Sequence, residues 1–494
     1  MPAAVPTRDR RGTAGRPRHR PSHGGAVAAQ HPETARVGGE VLAAGGSAAD
    51  AAVAMALTAC AAETTLTGLA GGAHAVLADP SSGVVCLDGF VAAPGLGRDD
   101  VDPTGRVLPE GVRHELVVPF GAATDTYVVG PGTVGVPGVP ALLAEVHRRA
   151  GRLPWVEVVR PAAEVARRGA MLLPSGLRVL DLIGAVLETG PAERTYVDGD
   201  GRRVAAGTVV RLPGLVDALD VLAERAGDTF RTGPLAEALL AASRERGGLV
   251  TPTDLERYRV EVDEAATARL GGATVHVRAA HHSLPAALAA LPDLAPLGAG
   301  PRAVALATAL RDRHPLPLGT TNVSASAADG TACAITTSLG IGAGEWLEGY
   351  DVHLSSMLGE PGLADPPLPP GARVRSDMSP LVVTDRDGVL PAAGATGASR
   401  IRTALVHSLV SSVVDAGDAA TAVRAPRVHP VDDGGRAVAH AEPDVPDEAV
   451  DALTSAGWEV SRWEETSHYF GGVTVVDRHG AAGDPRRDGA AVVL

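Results

Sequence analysis

The chain has 494 residues, 45% hydrophobic, 21% charged and only 3% aromatic. This is the composition of a water-exposed folded protein, long enough for one large layered domain or several smaller ones, with no apolar run of about 18 residues to cross a membrane. Lys plus Arg number 44 against 58 acidic side chains, a net charge of −14, which disfavours nucleic acid and anionic membrane as partners. There is no Lys at all, and Asn322 and Gln30 are the sole Asn and Gln, as a GC-rich coding bias would leave them. A Walker-A lysine, a Schiff base and a Ser–Lys dyad are thereby excluded.

Residues 1–24 carry six arginines among Pro, Gly and His and have no apolar segment behind Arg10-Arg11, so they read as a disordered basic arm of a cytoplasmic protein. From His31, HPETARVGGEVLAAGGSAADAAVAMALTACAAE gives two helices, the second Ala-rich and buried. TLTGLAGGAHAVLAD, VVCLDGF and TDTYVVG are bounded by turn residues and read as strand-like runs, and VPALLAEVHRRAG and PWVEVVRPAAEVARRGA as helices. Residues 209–250 are helical with Gly and Pro punctuation. VEVDEAATARLGGATVHVRA suggests two strands, and GPRAVALATALRDRH one further helix before the extended HPLPLG. TTNVSASA and TACAITTS alternate strictly and are joined by Asp329-Gly330, a strong hairpin signal. Strands at MSPLVVTD and GVLPAAG, a helix over ASRIRTALVHSLVSSVVDAG and a final αβ portion complete the chain. Hairpins inside and helices outside indicate a layered α+β fold with antiparallel sheets.

Cys60, Cys86 and Cys333 are far apart in apolar contexts and read as buried small hydrophobes. Gly130-Pro131-Gly132-Thr133-Val134-Gly135 matches G-x-G-x-x-G, but no second parallel strand follows, so it reads as a tight structural loop. No HExxH occurs, and His281-His282 has no ligand pair nearby, so neither a metal nor a cofactor is expected. Gly319-Thr320 has more chemical content. Cutting that bond would give Thr320 an α-amine beside its hydroxyl. The amine, with an unperturbed pKa of ~7.7–8.0, can take the hydroxyl proton near neutral pH. Taken alone, Thr-Thr at a strand start is ordinary β-propensity.

The landmarks HPETA…AAGGSAADAAVA, TGLAGGAHAVL, GTVGVPG…LLAEVHRRAGRLPW, GGLVTPTDLERYRV, GTTNVS…ADGTA, MSP, GATGASRI, APRVH and GDPRRDGAA follow one another from His31 to the C-terminus. In that order they resemble the γ-glutamyltransferase family of N-terminal-nucleophile hydrolases. The resemblance implies a four-layer αββα sandwich made from one precursor, cleaved into a large-subunit region, 25–319, and a small-subunit region, 320–494, which stay together as a heterodimer. It makes Gly319–Thr320 the self-cleavage point and Thr320 the nucleophile. Ser338 stands where the family has a Thr that orients the nucleophile, and Gly397-Ala398 matches the Gly-Gly whose N–H groups form the oxyanion hole.

The positions that read substrate depart from the family. Phe90 stands in place of the Arg that pairs with the glutamyl α-carboxylate, Gly340 of an Asn, Met357 of a Gln or Glu, and Asp377 of the second Ser of a pair that begins at Ser376. Glu360 falls where an Asp holds the α-ammonium, and Asn322 replaces a His. The first functional expectation is a self-processing hydrolase or transferase of γ-glutamyl amides of the glutathione type, acting on small molecules. The second keeps the machinery for a non-glutamyl substrate, as in a natural-product branch of the family that cleaves a C–C bond beside an activated carbonyl. The third is an unprocessed, non-catalytic homologue.

Overall fold

A computed structural model describes residues 23–100, 112–120, 123–279, 283–311, 319–364 and 368–494. Most of the basic arm, His281-His282 and residues 312–318 lie outside it. The hairpin is the centre of the molecule. Thr320–Ala327 pairs antiparallel with Ala332–Ser338, from Thr320 opposite Ser338 to Ser326 opposite Ala332. Gly330 supplies the positive φ of the turn (+86°) and the Asp329 carboxylate accepts from the Thr331 amide and hydroxyl.

Around this hairpin grows a seven-stranded antiparallel sheet. Its order is Ala490–Val493, Gly25–Ala29, Thr320–Ala327, Ala332–Ser338, Gly72–Asp79, Gly83–Gly89, Glu261–Glu264. A second antiparallel sheet runs Ala481–Gly483, Gly472–Val476, Gly388–Thr396, Leu381–Asp385, Ala273–Val277, Ala266–Leu270. The sheets face each other across a layer that includes the apolar cluster of Val76, Cys86, Val382 and Val476. Helices Pro32–Ala43 and Ala48–Ala62 cover the outer face of the first sheet, and Leu284–Ala289, Arg400–Leu409 and Ala419–Arg424 that of the second. The result is four layers, helix, sheet, sheet, helix. Segments 25–319 and 320–494 each give strands to both sheets, so position 319 separates no folding units. His23 and Gly24, the end of the expected arm, are already tied to the Asp477 and Leu494 carbonyls.

The Ala-rich helix is buried along all 15 residues because a sheet lies on one side and helix Trp155–Arg168 on the other. Small side chains allow that closeness, and Ser47 and Asp50 close its N-terminus as a capping box. The expected two strands over 260–279 are three. Glu261–Glu264 joins the first sheet, while Ala266–Leu270 and Ala273–Val277 join the second, so the chain changes sheets at Ala265. A small third sheet, Val428–Asp433, Arg436–Ala441 and Glu459–Arg462, includes one parallel pair, which departs from the all-antiparallel expectation. The glycine motif at 130–135 forms a buried 3₁₀ turn behind an antiparallel hairpin, not a βαβ unit. All three cysteines are free and buried. Among the described residues no helix is long and apolar enough to cross a membrane.

Candidate active site

Thr320 begins its strand buried between the sheets, and the groups around the preceding carbonyl are arranged specifically. The Ser338 hydroxyl donates to the Gly319 carbonyl at 2.5 Å and accepts from the Gly340 amide at 3.1 Å. Gly319 has φ +76°, and a Cβ there would sit 1.9 Å from the Gly340 carbonyl oxygen, so only glycine fits. The carbonyl immediately before Thr320 is therefore polarised by a buried donor that would also receive negative charge developing on its oxygen.

The facing sheet brings Gly397-Ala398 to the same end. Strand Gly388–Thr396 runs into this pair, whose carbonyls then accept the first amides of helix Arg400–Leu409, from Arg400 and Ile401. Thr396 is fixed by Gln30, whose Nε2 donates to its hydroxyl at 2.7 Å. Gly397 takes φ +122° against the Gly471 backbone, and buried Ala398 takes φ +57°. A left-handed alanine costs about 1 kcal/mol relative to glycine. Ala398→Gly is accordingly expected to raise the urea-unfolding free energy by ~1 kcal/mol while the site keeps its N–H.

The substrate-reading positions divide into groups. Glu360 lies beside Gly340: its Oε1 accepts from the Ile341 amide (2.8 Å) and the Ser356 hydroxyl (2.6 Å), and a Cβ on Gly340 would lie 2.3 Å from it. Glycine at 340 thus makes the room that this carboxylate fills. Phe90 and Met357 pack together with Val91, Leu363, Val374 and Met378 in an apolar cluster. Phe90 also stacks on His74, ring centroids 5.2 Å apart.

Beneath Phe90, cations are present but internally neutralised. Arg278 pairs with buried Asp88 at 2.8 Å and donates to the Ser376 carbonyl, and Arg373 lies 3.5 Å from the same carboxylate. Burial opposes ionisation of Asp88, but His74, Arg278 and Arg373 overcome it and hold its carboxyl below the usual range. Ser376 is therefore tied to this group, while half-buried Asp377 accepts from the Ser283 amide. Asn322 proves to be a pin between the sheets. Its amide donates to the Thr336 hydroxyl and accepts from that of Thr474, both at 2.6 Å.

Glu63 is a member of the site that sequence reasoning missed. It caps the Ala-rich helix behind the nucleophile strand, accepting from the hydroxyls of Thr34 (3.0 Å) and Thr321. The available signal was a single carboxylate in an otherwise apolar run. Burial pushes its carboxyl up to about 7, against the two hydroxyl donors that favour the charged form. A carboxyl raised on folding is stabilising when protonated relative to when charged. Its burdening of the fold therefore sets in above the unfolded value near 4.3 and is complete above about pH 7. Glu63→Gln is expected to flatten the fall of unfolding free energy between pH 5 and 8, read by urea titration of both proteins.

Two facing antiparallel sheets inside helical layers, with a hydroxyl residue heading a central strand behind a strained glycine, define the class of N-terminal-nucleophile hydrolases. Residues 34–298 and 300–494 match the gamma-glutamyltranspeptidase family, and the chain belongs to that family. It is similar to the Acylase ACY 1 proenzyme of Pseudomonas sp. (strain V22), 26% identical over 508 residues, covering 89% of this chain and 87% of that one. It is 27% identical to Glutathione hydrolase 3 of Arabidopsis thaliana over 262 residues, which is 52% of this chain but only 37% of the relative's length. The fold matches cephalosporin acylase from Bacillus halodurans with a TM-score of 0.77 at 22% identity, covering 100% and 98% of the two chains.

Proposed function

We propose that this protein is a self-processing hydrolase in which Thr320 first cleaves its own Gly319–Thr320 bond and then an acyl bond of a small molecule whose acyl end is not a free amino acid. The observation that carries the first half is the Ser338 hydroxyl on the Gly319 carbonyl. The Thr320 hydroxyl adds to that carbonyl carbon, the C–N bond breaks, and the proton goes to the new α-amine. Water hydrolyses the resulting ester, leaving a Gly319 carboxylate and a free Thr320, with the two fragments held together by their shared sheets. In turnover the α-amine takes the Thr320 hydroxyl proton as the oxygen attacks substrate. The Gly397 and Ala398 amides receive the oxyanion, and water releases the acyl group.

The second half rests on the Phe90–Met357 cluster. An α-carboxylate set against Phe90 in place of a guanidinium would lose its partner, at a cost of several kcal/mol. The full-length likeness to an acylase proenzyme supports the same reading. A second reading, γ-glutamyl transfer, draws support from Glu360, a buried carboxylate beside Gly340 suited to an ammonium group. The p-nitroanilides of hexanoate and of γ-glutamate separate the two. Hexanoyl release is expected at a kcat/KM at least ~10-fold higher. Efficient γ-glutamyl release that is lost in Glu360→Ala would overturn the acyl assignment in favour of the second reading.

A further inference from the structure

The layer between the two sheets changes character along its length. Away from Thr320 it holds the apolar cluster of Val76, Cys86, Val382 and Val476. Toward Thr320 it becomes polar, with the buried side chains of Asn322, Ser324, Thr336, Thr396 and Thr474. Apolar surfaces attract without direction and can slide past one another, whereas hydrogen bonds fix both separation and register.

The chain's sole Gln and sole Asn both lie in this polar part. Gln30 directly follows strand Gly25–Ala29, the neighbour of the nucleophile strand, and its Nε2 donates to the Thr396 hydroxyl of the facing sheet at 2.7 Å. Its Oε1 is buried with no hydrogen-bond partner among the described residues. Asn322, on the nucleophile strand itself, accepts from the Thr474 hydroxyl at 2.6 Å and from the Gly394 amide at 3.3 Å. Gly394 and Thr474 stand opposite each other in the second sheet. A Cβ on Gly394 would lie 2.3 Å from the Asn322 amide carbon, so only glycine lets the two strands approach there.

Both contacts fall where strand Gly388–Thr396 delivers the oxyanion pair, since Thr396 immediately precedes Gly397 and Gly394 is two residues before Thr396. Burying an amide with one polar atom unpaired is costly, and methionine would fill the place of Gln30 without that cost. What the amide adds is a fixed distance between the sheets. Self-cleavage has no such need, because the Ser338 hydroxyl on the Gly319 carbonyl comes from the strand paired with Thr320, within the first sheet.

We propose that Gln30 and Asn322 are positioning residues that clamp the end of strand Gly388–Thr396 to the first sheet, fixing the Gly397 and Ala398 amides relative to Thr320 for attack on substrate. The catalytic consequence rests on the proposed function, which puts the substrate oxyanion on those two amides.

Gln30→Met in the purified full chain tests this, with Thr396→Val and Thr396→Ser beside it. Hydrogen exchange followed by mass spectrometry reads the clamp itself and needs no turnover. Peptides covering residues 391–400 are expected to exchange ~5-fold faster in Gln30→Met and Thr396→Val but at the wild-type rate in Thr396→Ser. Val428–Asp433, in the third sheet, is expected to keep its rate in all three. For the hexanoyl p-nitroanilide, kcat is expected to fall at least ~10-fold more than the rate of self-cleavage, with KM changed less than ~2-fold and Thr396→Ser close to wild type. Gln30→Met combined with Thr396→Val is expected to lose little more than either alone, since both remove the same bond. Unchanged exchange over 391–400 overturns the clamp. Self-cleavage that falls in proportion to kcat, or a loss in Thr396→Val that Thr396→Ser shares, overturns its role in turnover. A chain that stays whole while its exchange responds as expected contradicts the proposed function and leaves the clamp standing, so the two failures are distinct.

Discussion

Thr320→Ala is expected to leave a folded but whole chain that hydrolyses nothing. Alanine occupies the same buried strand position, and the loss of β-propensity and one methyl and hydroxyl costs only about 1–2 kcal/mol. What disappears is the hydroxyl of the residue that directly follows the Gly319 carbonyl. Nucleophile removal lowers rates by at least ~10³-fold, so both the cleavage and the subsequent turnover should fall below detection. Thr320→Ser keeps the oxygen and is expected to cleave. If Thr320→Ala were cut at the same bond, the nucleophile would have to be another residue.

The second large effect is expected at Ser338. Its hydroxyl is the only side-chain donor recorded on the Gly319 carbonyl among the described residues, and it also satisfies the Gly340 amide. Ser338→Ala removes a donor aimed at the developing oxyanion, which costs ~10²–10³-fold in the rate of self-cleavage. Ser338→Thr restores the hydroxyl and is expected to restore the rate. A time course of fragment appearance on a gel reads both variants. Cleavage of Ser338→Ala at the wild-type rate would show that the 2.5 Å contact is structural alone.

The part of the site written in consecutive residues was legible in the sequence. Strict alternation either side of Asp329-Gly330 gives the hairpin, and its register then places Ser338 opposite Thr320. The collinear landmarks identify the family and with it the layered fold. Contacts between remote segments were not legible. Nothing in ACAAETT shows that Glu63 will meet Thr321, 258 positions on, because a helix end and a strand are brought together only by the layering. Asn322 looked like a substitution beside the nucleophile. Strand alternation puts it two residues on, and its amide is taken up by hydroxyls of both sheets. The third strand over 260–279 was hidden because the chain changes sheets without a Gly or Pro to mark it.

Phe90 shows how sequence and structure combine. Replacement of a family arginine points to a changed specificity, but the sequence leaves open whether another cation takes over. Arg278 and Arg373 are near enough, yet Asp88 holds both, so the Phe90 side of the site offers apolar surface.

The intact mass of the purified protein, together with the N-terminal residue of each fragment, shows whether Thr320 cuts the chain before it. Two species of 319 and 175 residues are expected, the second beginning with Thr320. A single species of 494 residues that persists on prolonged incubation, or a cut at any other bond, would contradict it.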